Sequence, residues 1–235
     1  MPASPKHSVY VPELDPAAQT VVLTGEEAKH AVRVKRLQPG QAVNLMNGNG
    51  LRLTGDVTAA KRELHIRVTE RVEVPRPSPA LEVCSAVPKG PRSGDMLDGL
   101  SQAGADVWCP LETAFGVESP TPAKRDRWER ISRESLKQCG RAWRMEIGPD
   151  RTLAGACEPG AGLTVVIADA SGEPYEAAAG AERVRLLVGP EGGWREDELE
   201  FARAAGARAC RFGPHVMRIE TAAVVAAGII RAAHG

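Results

Sequence analysis

Three prolines in five residues, Pro75-Arg76-Pro77-Ser78-Pro79, divide the chain into two stretches with different hydrophobic periods. Proline fixes φ and removes a backbone donor, so the run reads as a stiff linker rather than as part of a sheet or helix. Before it, short β-rich segments at 20–23, 42–46, 51–57 and 64–72 are separated by turn signals such as Pro39-Gly40 and Asn47-Gly48-Asn49-Gly50. With one short helix over 26–34, they predict a small β-barrel. After the linker, strands at 81–87, 107–111, 163–168, 184–188 and 207–212 alternate with helices at 93–103, 124–138, 196–205 and 220–233. Apolar runs such as Thr164-Val165-Val166-Ile167 and Val184-Arg185-Leu186-Leu187-Val188 suit parallel strands buried on both faces, so this half is expected to be α/β. The expected organisation is a barrel over 1–74, a linker over 75–80 and an α/β domain over 81–235.

At 235 residues and 43% hydrophobic, the chain can bury a sizeable core. The start of the chain has no basic segment followed by an apolar stretch, and the apolar run 222–230 is far short of the roughly 20 residues that span a bilayer. A cytoplasmic protein without membrane insertion is expected. The five cysteines never fall as Cys-x-x-Cys, and the five histidines share no ligand-like spacing, so no metal is expected. Net charge is zero, which argues against a general nucleic-acid binder, but residues 121–144 hold eight cations against three anions. The helix there has two readings, a solvated charged face or a contact with a polyanion. The same two readings apply to Lys29, Arg33, Lys35, Arg36, Arg52, Lys61 and Arg62 in the barrel, where the sharper one is docking to an RNA backbone.

Two late glycine loops carry the chemistry. Leu187-Val188-Gly189-Pro190-Glu191-Gly192-Gly193 and Phe212-Gly213-Pro214-His215-Val216-Met217-Arg218-Ile219-Glu220-Thr221 each end a strand and open a helix. The first has neither the Lys-Ser/Thr of a P-loop nor Gly-x-Gly-x-x-Gly spacing, and it comes too late for a Rossmann site. Glycine permits close backbone approach, so such loops can hold a flat ligand by its edges; two tight βα turns without a ligand are the plainer reading.

Taken as a pair, with Glu196 and Glu198 after the first and Gly-x-x-Val-Met-Arg-x-Glu-Thr-Ala in the second, the loops resemble the signature of the SPOUT superfamily of S-adenosylmethionine-dependent RNA methyltransferases. Within it the chain is most similar to the ribosomal RNA small subunit methyltransferase E family, which methylates N3 of a uridine in 16S ribosomal RNA. Weaker matches are the run from His30 to Leu37 followed by Pro39-Gly40, then Val87-Pro88-Lys89-Gly90, and Gln138-Cys139-Gly140-Arg141.

The resemblance implies a PUA-like barrel for RNA docking, an α/β domain with a deep trefoil knot, and a homodimer acting on the 30S subunit with each active site at the subunit interface. It implies that S-adenosylmethionine is held by Leu187, Val188, Gly189, Pro190, Gly192 and Gly193 from one loop. The other loop would contribute Phe212, Gly213, Val216, Met217, Arg218 and Thr221. RNA contacts would fall to Arg33, Lys35, Arg36, Lys89 and Arg141. Removing the uridine N3 proton leaves negative charge on the flanking carbonyls, which Arg218 is expected to stabilise. Glu191 or Glu220 would take the proton; a structural loop role for Glu191 and a helix N-terminal role for Glu220 stand beside that. The chain departs from the family's usual charges at Gly99 and Gln102, around Ala114, and at His215. Two other readings are a catalytically silent RNA-binding module of the same fold and a nucleotide-binding α/β enzyme.

Overall fold

A computed structural model describes residue 5 and residues 7–235. It forms two compact units. The first comprises the described residues up to Arg76 together with Arg133–Arg144; the second comprises Pro77–Ser132 and Met145–Gly235.

The first unit is built on a five-stranded, half-barrel sheet of β1 (Ser8–Tyr10), β2 (Thr20–Leu23), β3 (Ala42–Met46), β4 (Leu51–Ala60) and β5 (Leu64–Glu73), in the order β1-β3-β4-β5-β2. Only the β1–β3 pair is parallel. Leu51, Leu53 and Val57 of β4 point inward with Val43, Leu45, Leu64 and Ile66, as the period of two requires. Gly55 sits where the β4–β5 register shifts; a Cβ there would lie 2.6 Å from the Arg67 carbonyl oxygen, so the bulge admits only glycine. The helix expected over 26–34 is instead α1 (Gly25–Lys29) followed by a π-helical turn, His30–Val34. The wider turn lets Ala28, Ala31 and Leu37 all reach the core, a packing demand that propensity alone does not express.

Arg133–Arg144 belongs to this unit through backbone bonds and one indole. Gly50 N donates to Ala142 O (3.0 Å) and Arg144 N to Gly48 O (2.8 Å), while Trp143 Nε1 donates to Val74 O at 2.8 Å. The Arg76 guanidinium lies 4.6 Å over the Trp143 ring. Four cations and one anion of the basic stretch therefore count with the half-barrel.

The second unit has six parallel strands: β6 (Ala80–Ser85), β7 (Val107–Pro110), β8 (Glu146–Ile147), β9 (Leu163–Pro174), β10 (Arg183–Val188) and β11 (Arg208–Arg211). Their order is β11-β9-β10-β6-β7-β8. Helices α2 (Arg92–Gln102), α3 (Pro122–Cys139), α4 (Leu153–Cys157), α5 (Glu196–Ala204) and α6 (Ile219–His234) connect or follow them. One core holds Leu81, Val83, Leu97, Trp108, Leu186 and Ile230; the other holds Cys84, Cys109, Ile167, Leu187 and Leu199. Alternate residues of the same strands thus enter different cores, which is why these strands read as unbroken apolar runs. Gly99 has a packing reason: a Cβ there would lie 2.7 Å from a Val224 methyl, so glycine lets α2 and α6 approach closely. No helix among the described residues is long and apolar enough to cross a membrane.

Glu82 anchors the centre of this sheet. Its carboxylate accepts from Arg185 Nε on neighbouring β10 (2.7 Å) and from Arg151 Nε (2.8 Å), and Arg185 also donates to Ala156 O at 2.9 Å. Burial by itself would raise the Glu82 carboxyl, but the hydrogen bond and charge of Arg185, with the charge of Arg151, outweigh it and hold the group below the ordinary 4.5. A depressed folded-state value means that this stabilisation is complete above about pH 4.5 and fades as pH falls through the folded value. Glu82→Gln is expected to cost about 3 kcal/mol at pH 7 by leaving two guanidiniums uncompensated. Urea unfolding at pH 7, 4.5 and 3.5 should show the deficit shrinking with acidification; a pH-independent deficit would contradict this account.

Candidate functional site

The carboxyl ends of β10 and β11, together with the middle of β9 where its register against β11 shifts, open onto one cavity of about 260 Å³. Open α/β sheets gather their loops at that edge because every crossover must return to the other end of the sheet. Ala168–Ala170 beyond the β9 core residues form one side, the loop after β10 a second, and the loop after β11 a third. Gly193 N donates to Pro190 O (2.9 Å) and Gly193 takes φ +76°, closing a turn that glycine adopts without strain. Trp194 donates from Nε1 to Ala168 O at 3.0 Å, so its indole spans from the loop after β10 to strand β9. Gly189 lies against that ring; a Cβ there would stand 2.9 Å from it. Ile219 and Ala222 of α6 close the base.

A second cavity, of about 540 Å³, lies beside the first. Lys89 and Arg92 line it together with residues 114–117 and Glu191–Gly192. Glu191 faces both cavities. Arg92, the first residue of α2, sits with Nη2 3.0 Å from Glu191 Oε1 and Nη1 3.6 Å from Glu220 Oε2. The Glu220 oxygen is buried and accepts no hydrogen bond among the described residues, so this guanidinium is its facing charge. Glu198 ties the loop beyond β7 to α5, accepting from Ala114 N (2.8 Å) with one oxygen and from Arg195 N (2.9 Å) with the other.

The two glycine loops read from the sequence therefore meet. Val188, Gly189, Pro190, Gly193, Phe212, Gly213, Val216 and Met217 line the first cavity, with Glu191 shared. Gly192 lines only the second, and Leu187 is buried in the core below. Arg218, the N-cap of α6, and Thr221 are exposed and line neither. Lys89 lines the second cavity. Arg33, Lys35, Arg36 and Arg141 lie in the first unit. Lys35 is half-buried and donates to Ser8 O; burial pushes its ammonium down, with Lys137 adding to the effect.

Sequence reasoning did not single out Arg92, Trp194, Asp169 or Phe115. Trp194 had a signal, since it directly follows the glycine run, whereas the pairing of Arg92 with residues about 100 and 130 positions later has none. Glu82, Cys84 and Cys109 bring three ligand-type atoms within 4.8 Å of one another. The Glu82 oxygens already accept from two guanidiniums, so a cation there would face two like charges.

The parallel α/β unit carries its loop-walled cavity at the carboxyl edge of the sheet, in one chain with a half-barrel. Family models described as an RNA methyltransferase domain and an RNA methyltransferase PUA domain match residues 75–231 and 23–69. The chain is 35% identical to ribosomal RNA small subunit methyltransferase E of Mycobacterium bovis over 94% of its length and 89% of the relative. It is 25% identical to the Bacillus subtilis protein of that name, over 91% and 90%. The chain belongs to the ribosomal RNA small subunit methyltransferase E family. A Legionella pneumophila structure with bound cofactor SAM superposes with TM-score 0.81 at 25% identity, covering 96% of this chain and 97% of that one. The Neisseria gonorrhoeae family structure, bound to S-adenosyl methionine, shares the fold with TM-score 0.86 at 22% identity over 96% and 97%.

Trp194→Phe keeps an aromatic face but removes the bond to Ala168 and part of the indole's contact area, at an expected cost of about 1–2 kcal/mol. Gly189→Ala should cost more, because its Cβ must displace the indole. Urea unfolding of both variants checks the order, and the reverse order would mean that the indole yields freely.

Proposed function

We propose that this chain is a cytoplasmic S-adenosylmethionine-dependent methyltransferase that methylates N3 of a uridine in 16S ribosomal RNA within the 30S subunit. The observation that carries this reading is the single cavity walled by both glycine loops, in a chain whose family relatives are named for small-subunit ribosomal RNA. The cavity suits the cofactor: Val188, Phe212, Met217 and Ile219 offer apolar surface, Gly189 lets the backbone pack against the Trp194 ring, and Gly213 brings no side chain into the space. Val188, Gly189, Pro190, Gly193, Phe212, Gly213, Val216 and Met217 would hold it, with Leu187, Gly192, Arg218 and Thr221 supporting the two loops. When bound, the cofactor supplies an electrophilic sulfonium methyl and leaves as neutral S-adenosylhomocysteine.

The chain's own residues must then fix the base and manage one proton. The N3–H electron pair forms the N3–CH3 bond as the S–CH3 bond breaks, and the N3 proton goes to a carboxylate or to water. Glu191 is the better situated acceptor, because it faces both cavities. Glu220 is more enclosed and sits at the N-terminus of α6, where a carboxylate also favours the helix. Arg92 holds both carboxylates in place. Arg218 is assigned the charge that develops on the base carbonyls; it is exposed and makes no ion pair among the described residues. Its place outside both cavities suits an active site completed at a subunit interface.

A homodimer is part of the proposal. On α6, Val225 and Ile229 are exposed one turn apart, and Val216 just before it is 92% exposed; an apolar stripe of this kind suits a second copy of the chain. So is a trefoil knot: α6 leaves edge strand β11, passes β9, and packs on β10, β6 and α2, a crossing that threading beneath the loop after β10 would produce. Residues 1–74 would form the RNA-docking domain through Arg33, Lys35 and Arg36, joined by Arg141 from the segment that packs in the same unit, with residues 75–80 as the linker and 81–235 as the catalytic domain, where Lys89 is a further RNA contact.

Calorimetry with S-adenosylhomocysteine should show binding; none at high concentration, or binding of ATP or NAD instead, would overturn the reading. Methyl transfer to 30S subunits from cells lacking the modification should follow, and its absence would leave a silent RNA-binding module. Arg218→Ala is expected to lower turnover roughly a hundredfold or more while leaving homocysteine-product binding within about twofold. Retained turnover would remove Arg218 from its role.

A further inference from the structure

We propose that the second cavity is the acceptor subsite and that Phe115 is the aromatic platform on which the target base stacks. This inference rests on the methyltransferase reading above. The two cavities meet at Glu191, so a group seated in the second one lies across a single side chain from the methyl-donor cavity.

The chemistry of the walls narrows what that group is. One wall is cationic, with Lys89 exposed and Arg92 held by two carboxylates. The other is apolar, with Phe115 at 50% exposure and Val117 at 58%. A simple anion has no use for an exposed phenyl ring, and an apolar ligand has none for a lysine. A nucleotide uses both, because it joins a flat π-face to a phosphate. RNA readers take bases out of the stack and support them on aromatic side chains in this way.

The ring is also held in place. Ala114 N is fixed by Glu198, and Gly116 N donates to Thr113 O at 3.0 Å, so the backbone on both sides of the ring is held. A Cβ at position 192 would stand 3.3 Å from the Phe115 Cβ, so Gly192 lets the glycine loop touch the phenylalanine. A residue that leaves half its surface in water on a loop fastened at both sides gives up burial that a stacked base restores. In this arrangement the base lies on Phe115 with its N3–H toward Glu191, Lys89 meets a backbone phosphate, and Arg92 orients the Glu191 carboxylate.

The test is steady-state methylation of unmodified 30S subunits by Phe115→Leu, Phe115→Tyr and wild-type protein, with S-adenosylhomocysteine calorimetry and thermal unfolding alongside. Leucine keeps most of the volume and loses the π-face. Phe115→Leu is expected to raise the KM for subunits at least about fivefold, and Phe115→Tyr to restore it to within about twofold. Product binding and Tm should match wild type in both variants. An unimpaired leucine variant overturns the assignment, as does a loss that tyrosine does not restore, or one that tracks weakened homocysteine-product binding. Wild-type protein that binds no S-adenosylhomocysteine would instead overturn the methyltransferase reading itself.

Discussion

The second unit depends on the requirement that an all-parallel sheet be buried on both faces. Each crossover starts at the carboxyl edge and returns to the opposite one, so functional loops accumulate on a single edge while the strands carry apolar side chains in both directions. In this chain β9, β10 and β11 deliver Ala168–Ala170, the loop after β10 and the loop after β11 to that edge together. The interior of the sheet is therefore stressed wherever a charge enters it. Glu82 and Arg185 are register partners on adjacent strands, and each makes the other's burial tolerable.

Features set by local chemistry were legible in the sequence. The apolar runs of β9 and β10 and the two glycine loops each declare themselves through period or backbone freedom. Features that exist only after packing were not. A two-residue strand, β8, and a five-residue helix, α4, are too short to show a period. The π-helical turn at His30–Val34 answers the needs of Ala28, Ala31 and Leu37 in the core, which no helix propensity encodes. Gly99 looks like a lost helix former when read alone, yet Val224 occupies the space its side chain would need.

Charge shows the same division. A net charge of zero describes no actual surface of this molecule, because the basic stretch after residue 121 is shared between units. Arg133, Lys137, Arg141 and Arg144 count with the half-barrel, to which the Trp143 indole fastens their segment. Sequence position assigned these cations to the α/β half, and hydrogen bonds to Gly48, Gly50 and Val74 assign them otherwise. The positive excess thus falls on the unit that matches the PUA family model.

Arg92 links the glycine loops to the rest of the site. Its position at the start of α2 places one guanidinium between Glu191, from the loop after β10, and Glu220, from the first turn of α6. Two carboxylates brought this close to one another repel, and the shared cation makes their convergence possible. The same contact fixes Glu191 where both cavities can reach it. A substitution that kept the positive charge but not the planar fork, such as lysine, would satisfy one carboxylate at a time. The geometry of the wall between the two cavities is therefore set by a residue that belongs to neither glycine loop.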